Sequence, residues 1–162
     1  MFKKGDQIIY PVYGMSVIDK IISENVGNQE IKCYEILFLD SQLSISVPVD
    51  RATSLGLRYP LAKKELREFL KDLYKKITIK EEDILDLEEF CQMKLKSGNI
   101  KDIIELINTL LKINRIRIKE DKKLNMNESD SLKKAKQFLA SEVASVLGKK
   151  ALADYRLLEL PQ

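Results

Sequence analysis

The stretch FKKGDQIIYPVYGMSVIDKI, residues 2–21, decides how the front of the chain folds. Gly5-Asp6 is a turn signal, Gln7–Tyr10 is a short run rich in β-formers, and Pro11 ends its hydrogen bonding. Gly14 then permits a sharp change of direction into a second apolar run. The same rhythm continues to Pro60, with Gly27-Asn28, Asp40-Ser41 and Pro48 punctuating runs of Ile, Val and Tyr. Strands are expected at Gln7–Tyr10, Gly14–Ser23, Ile31–Leu39 and Leu43–Pro48, with a short last one near Ala52–Gly56. Strands this short and few close into a small SH3-like or Tudor-like barrel rather than a sandwich.

After Tyr59-Pro60 the apolar period changes from two to helical spacing. Leu66, Phe69, Leu70 and Leu73 predict a helix over Ala62–Lys76. Thr78 with Glu81 reads as a capping box opening a helix to Lys96. Ser97-Gly98-Asn99 closes that helix and caps the next, over Ile100–Ile116, whose almost continuous apolar stripe marks the centre of the helical core. Asn125 and Glu128 cap a helix running to Gly148, and Lys150–Leu160 forms a short last one. The fold class is therefore α+β, with a β-rich part over residues 1–60 and a helical bundle over 61–162.

Composition narrows the chemistry. The 162 residues contain no histidine, which removes Ser-His and Cys-His pairs and histidine-ligated metals. No phosphate loop is present, and Cys33 and Cys91 stand alone, as reduced thiols. An enzyme, a metal and a cofactor are thus not expected. No apolar run spans a membrane, and the start lacks a secretory signal, so the expected compartment is the cytoplasm. Residues 1–60 hold six basic and seven acidic side chains, leaving 22 of 28 basic and 18 of 25 acidic to the rest. The steepest basic run is Lys112–Lys123, either a solvated helix end or a contact for an acidic partner.

The opening stretch, followed by CYEILFL (33–39), SISVPV (44–49) and LGLR (55–58), resembles the front module shared by CarD, CdnL and the polymerase-interacting domain of transcription-repair coupling factor. LKSGN (95–99) and LKKAKQFLASEVA (132–144) continue the likeness to CarD/CdnL proteins. The resemblance implies a bacterial transcription regulator that binds the β subunit of RNA polymerase by adding a strand to a partner's sheet, and that modulates promoter open-complex stability; a monomer is expected. The candidate edge is Leu43, Ser44, Ile45, Ser46 and Val47, uncharged and alternating apolar with small polar residues. Replacing Ile45 by Pro is expected to remove an edge donor.

The family's helical part is understood to reach promoter DNA with a tryptophan wedge beside basic residues, and this chain has no tryptophan. Counting back from Gly98 lands on Ile84 or Leu85, which are either an apolar wedge or ordinary helix-core residues. Acidic neighbours such as Asp86, Glu88 and Glu89 oppose phosphate contact. Lys94, Lys96, Lys133, Lys134 and Lys136 are the alternative phosphate-binding candidates. Any DNA contact is accordingly expected to be weak and polymerase-dependent. The competing reading is a polymerase-associated adaptor whose helical part has lost DNA contact.

Overall fold

The computed structural model describes residues 1–158. Four strands, β1 (Gln7–Tyr10), β2 (Gly14–Val26), β3 (Gln29–Phe38) and β4 (Ser44–Pro48), form one antiparallel sheet in sequence order. Five helices follow: α1 (Lys63–Leu70), α2 (Leu87–Ser97), α3 (Ile100–Lys119), α4 (Met126–Leu147) and α5 (Lys150–Asp154). The α+β expectation holds.

The sheet curls into a half-barrel. A register shift between Ile18 and Lys20 leaves Asp19 unpaired, and such a bulge sharpens the twist of β2. The concave side packs Ile8, Ile18, Tyr34, Ile36, Phe38 and Val47. β1 is buried on both faces: Ile8 points into the half-barrel, while its neighbour Ile9, with Met15 of β2, joins the helical core. That explains why Ile8-Ile9 reads as an unbroken apolar pair rather than an alternation.

The two edges of the sheet differ. Arg58 bridges to Ile9, with Ile9 N–H donating to Arg58 O at 2.7 Å and Arg58 N–H returning a bond of 3.2 Å, so the outer side of β1 is covered. Among the described residues, no strand covers the outer side of β4. The expected strand near Ala52–Gly56 is instead a 3-10 turn at Val49–Arg51 followed by tight turns, because Ala52 and Leu57 drop into the half-barrel core.

In the helical part, α3 is the central rod, with Ile103, Leu106, Ile107 and Leu110 fully enclosed. Asn99 and Asn125 cap α3 and α4 as their positions require, the Asn125 carboxamide oxygen accepting from Glu128 N–H at 2.8 Å. Gly98 closes α2 in the left-handed conformation. Of the last expected segment, Lys150–Asp154 is helical, and residues 159–160 lie outside the described residues.

Two helix expectations are corrected. α1 ends at Leu70, not Lys76, and the helix expected from Thr78 begins only at Leu87, with Asp86 rather than Thr78 as its cap. Polar groups on α3 hold the chain between them out of helix. Asn108 accepts from Tyr74 N–H at 2.7 Å and donates to Asp72 O at 2.8 Å. One turn on, the Lys112 ammonium donates to the carbonyls of Ile77 and Ile79, both at 2.8 Å. Arg117 then bridges Glu81 and the buried Glu128. These tertiary bonds use backbone groups that a continuous helix would have paired internally.

Candidate functional site

The residues of β4 are themselves uncharged and, among the described residues, no strand pairs with its outer edge, which makes it the first candidate site. Its hydrogen-bonding parity follows from one bond: Phe38 N–H donates to Leu43 O at 2.9 Å. That pair lies in register with Leu37↔Ser44, Ile36↔Ile45, Glu35↔Ser46 and Tyr34↔Val47. Bonded and non-bonded pairs alternate along an antiparallel ladder. Ile45 and Val47 therefore direct N–H and C=O toward β3, whereas Ser44 and Ser46 direct theirs outward. This corrects the expectation for Ile45→Pro, which would strike the internal ladder; the outward donors belong to the two serines.

Side chains divide in the same register. Val47 is buried and Ile45 half-buried, both over the half-barrel core, while Ser44 and Ser46 face solvent. The Ser46 hydroxyl reaches Glu24 Oε1 at 3.1 Å and leaves its own backbone groups open. Leu43 precedes the strand and is 65% exposed. Beside it, the Phe38 ring stacks on Tyr13 at 4.8 Å between centroids, and Tyr13 is 59% exposed. With Leu39 and Leu43, Tyr13 extends the polar edge into an apolar shelf. Sequence reasoning missed this, since Tyr13 reaches Phe38 only across the β1–β2 turn.

The DNA candidates are not brought together. Ile84 and Leu85 belong to neither a helix nor the core: Leu85 is fully exposed and Ile84 half-buried, just beyond a 3-10 turn at Glu81–Asp83. Their surroundings are acidic, with Glu82, Asp83, Asp86, Glu88 and Glu89 exposed. Lys94 is clamped by Asp102 at 3.2 Å and Glu105 at 2.9 Å. Burial works against its charge, but the two carboxylates more than offset this and raise its pKa above the ordinary lysine value. Lys134 pairs with Asp130 at 2.9 Å, and Lys136 is buried against the Tyr74 ring. Lys96 and Lys133 remain as exposed cations. The basic run Lys112–Lys123 is likewise partly internal, because Lys112 and Arg117 hold the segment between α1 and α2.

A second constellation joins the two parts of the chain. Arg58 forks onto Glu142 of α4, Nη1 to Oε1 at 2.9 Å and Nη2 to Oε2 at 2.8 Å, while its Nε donates to Gly98 O at 3.1 Å. Glu142 also accepts from Leu61 N–H at 2.9 Å. Gly14 has φ +80 and lies so near Ser141 that a Cβ there would collide with its Oγ. Ser141 Oγ accepts from Met15 N–H at 3.3 Å. A Cβ added at Gly98 would likewise meet Pro11 Cγ at 2.8 Å. The motif residues of the opening stretch, of LGLR, of LKSGN and of LASEVA thus meet at one interface.

Comparison with known proteins finds two family matches along the chain. The family model described as CarD-like/TRCF RID domain matches residues 2–59, and that described as CarD, C-terminal domain matches residues 89–158. The chain belongs to the CarD family. Its curated relatives include the Bacillus subtilis (strain 168) protein named "Putative transcription factor YdeB", 26% identical over 153 residues, which cover 91% of this chain and 94% of that protein. Membership places the chain in transcription and makes its curled sheet Tudor-like. Between the two CarD matches lie residues 60–88, the stretch that holds Leu85 and its carboxylates.

Proposed function

We propose that this CarD-family protein binds the β subunit of RNA polymerase through the open edge of β4, and that docking places the helical part where it modulates open-complex stability. The observation that carries the reading is the outward parity of Ser44 and Ser46 on an uncharged edge. Free proteins usually protect such edges with charge, proline or a covering segment. Strand addition uses main-chain bonds for affinity and alternate side chains for specificity. Here the main chain offers the N–H and C=O of Ser44 and Ser46, and Tyr13, Leu39 and Leu43 offer the apolar contact. Residues 1–60 act as the polymerase-binding unit and residues 61–162 as the part presented to the promoter.

DNA contact in this reading is weak and depends on polymerase, because tethering raises the local concentration of promoter around the helical part. Lys96 and Lys133 are its phosphate contacts. The exposed Leu85 in its acidic setting favours a second reading, in which the helical part meets protein rather than DNA.

Binding of the whole chain to the isolated polymerase β lobe tests the proposal. Ser46→Pro removes one outward N–H at an edge position where proline is tolerated. It is expected to weaken binding about tenfold or more while the protein stays folded. Wild-type affinity in that variant would contradict docking through β4.

A further inference from the structure

The free edge of β4 is complementary to itself. Ser44 and Ser46 direct their N–H and C=O outward, with Ile45 between them. Set antiparallel against a second copy about a two-fold axis at Ile45, Ser44 of each chain falls opposite Ser46 of the other. Both are then hydrogen-bonded pairs, each exchanging two main-chain bonds, and Ile45 meets its symmetry mate in the closer, non-bonded position. Such an interface is isologous, one patch serving both partners, as in most homodimers.

The ends of the strand select this register. Sliding the copies by two residues in one direction would oppose Ser46 to Gln42, which precedes the strand and lies in the left-handed region at φ 55. Sliding them in the other would oppose Ser44 to Pro48, which has no N–H to give. Because β4 is uncharged, no like charges on the strands oppose one another across the axis. Leu43, largely exposed, and Ile45, half-buried, share a face that the second copy would cover. The helical part stands clear of it, since Ile9 of β1 and Met15 of β2 join the helical core and β4 is at the other end of the strand order.

We infer that a second copy of this chain pairs on β4 in this register and closes the edge that docks polymerase. Resting on that reading of β4, the pair acts as a brake on it: self-pairing and strand addition use the same N–H and C=O groups of Ser44 and Ser46, so each excludes the other. The pair also covers an edge that would otherwise invite aggregation. Four main-chain bonds and two isoleucines make a smaller contact than a stable dimer has, so the pair forms at high concentration. At low micromolar concentration the monomer prevails and its serine amides stay open.

Cross-linking of the full chain tests the register. Side chains of a non-bonded pair lie within disulfide reach, so Ile45→Cys is expected to form a covalent dimer under oxidised glutathione. Cys33 and Cys91 are buried, and the wild type gives the background. Ser46→Cys, which faces Ser44 and not its own mate, should cross-link about tenfold more slowly. Excess isolated polymerase β lobe should suppress the Ile45→Cys dimer. Sedimentation of the wild type, free of any core substitution, should move from monomer toward dimer as concentration rises, and Ser46→Pro should stay monomeric. Equal cross-linking rates in Ile45→Cys and Ser46→Cys, or a wild type still monomeric at millimolar concentration, would overturn the inference. So would a lobe that binds the wild type yet leaves the cross-linking rate unchanged. A lobe that does not bind at all would instead overturn the docking reading, and register-specific cross-linking would still establish the pair.

Discussion

Arg58 and Glu142, 84 residues apart, form a two-pronged ion pair in which the carboxylate is wholly buried and the guanidinium a quarter exposed. This pair fastens the closing bridge of the sheet to α4. Removing Arg58 leaves a buried carboxylate with Leu61 N–H as its remaining partner, so Arg58→Ala is expected to cost about 3–5 kcal/mol. Glu142→Ala is expected to cost less, because the guanidinium can turn to water. Replacing both by apolar residues of similar volume should restore most of the loss. Urea unfolding of the three variants measures the ordering.

The same interface constrains Gly14. Gly27 and Gly14 both have positive φ, +64 and +80, but a Cβ at Gly27 meets nothing within 4 Å. Gly27→Ala should therefore show the backbone cost alone, about 1–2 kcal/mol. Gly14→Ala adds the collision with Ser141 and should cost about 1–3 kcal/mol more. Chemical denaturation separates the two. Equal losses would mean that α4 yields freely.

Cys91 tests the helical core chemically. Burial, partly offset by a hydrogen bond to Ser131, pushes its thiol up to about 11 from 9.0. The native protein should resist alkylation at pH 8, whereas the unfolded chain reacts. The thiol's contribution to stability is complete below pH 9.0 and is lost as pH rises toward about 11, since only the unfolded state ionises across that window. Cys91→Ala should flatten this part of the pH–stability curve.

Leu85 is expected to be dispensable for folding: fully exposed, it should change stability by less than about 0.5 kcal/mol on replacement by alanine. If its acidic surroundings keep DNA away, Leu85→Ala also leaves open-complex lifetime unchanged. Lys96→Ala and Lys133→Ala should each lower the salt slope of polymerase-dependent promoter binding by about one unit. A shortened open-complex lifetime in Leu85→Ala would identify that residue as a wedge after all.

Much of the fold was legible in local sequence. Strand β1 and the caps at Asn99 and Asn125 fall where turn residues and capping side chains put them, because those signals act over three or four residues. The segment between α1 and α2 was not legible. Ile84, Leu85 and Leu87 mimic a helical stripe, but Asn108, Lys112 and Arg117 reach across from α3 and hold the backbone out of a continuous α-helix. For the candidate site, alternation picked out the edge strand, yet which amides face outward depended on the single bond from Phe38 to Leu43. Nor could a sequence window show that Arg58 and Glu142 meet.

Amide hydrogen exchange at β4, with and without the polymerase β lobe, tests the central claim most directly. In the free protein, Ser44 and Ser46 N–H should exchange rapidly while Ile45 and Val47 N–H, bonded to β3, are protected. Bound to the lobe, Ser44 and Ser46 should become protected as well. Binding that leaves those two amides exchanging as fast as before would contradict docking by strand addition at β4.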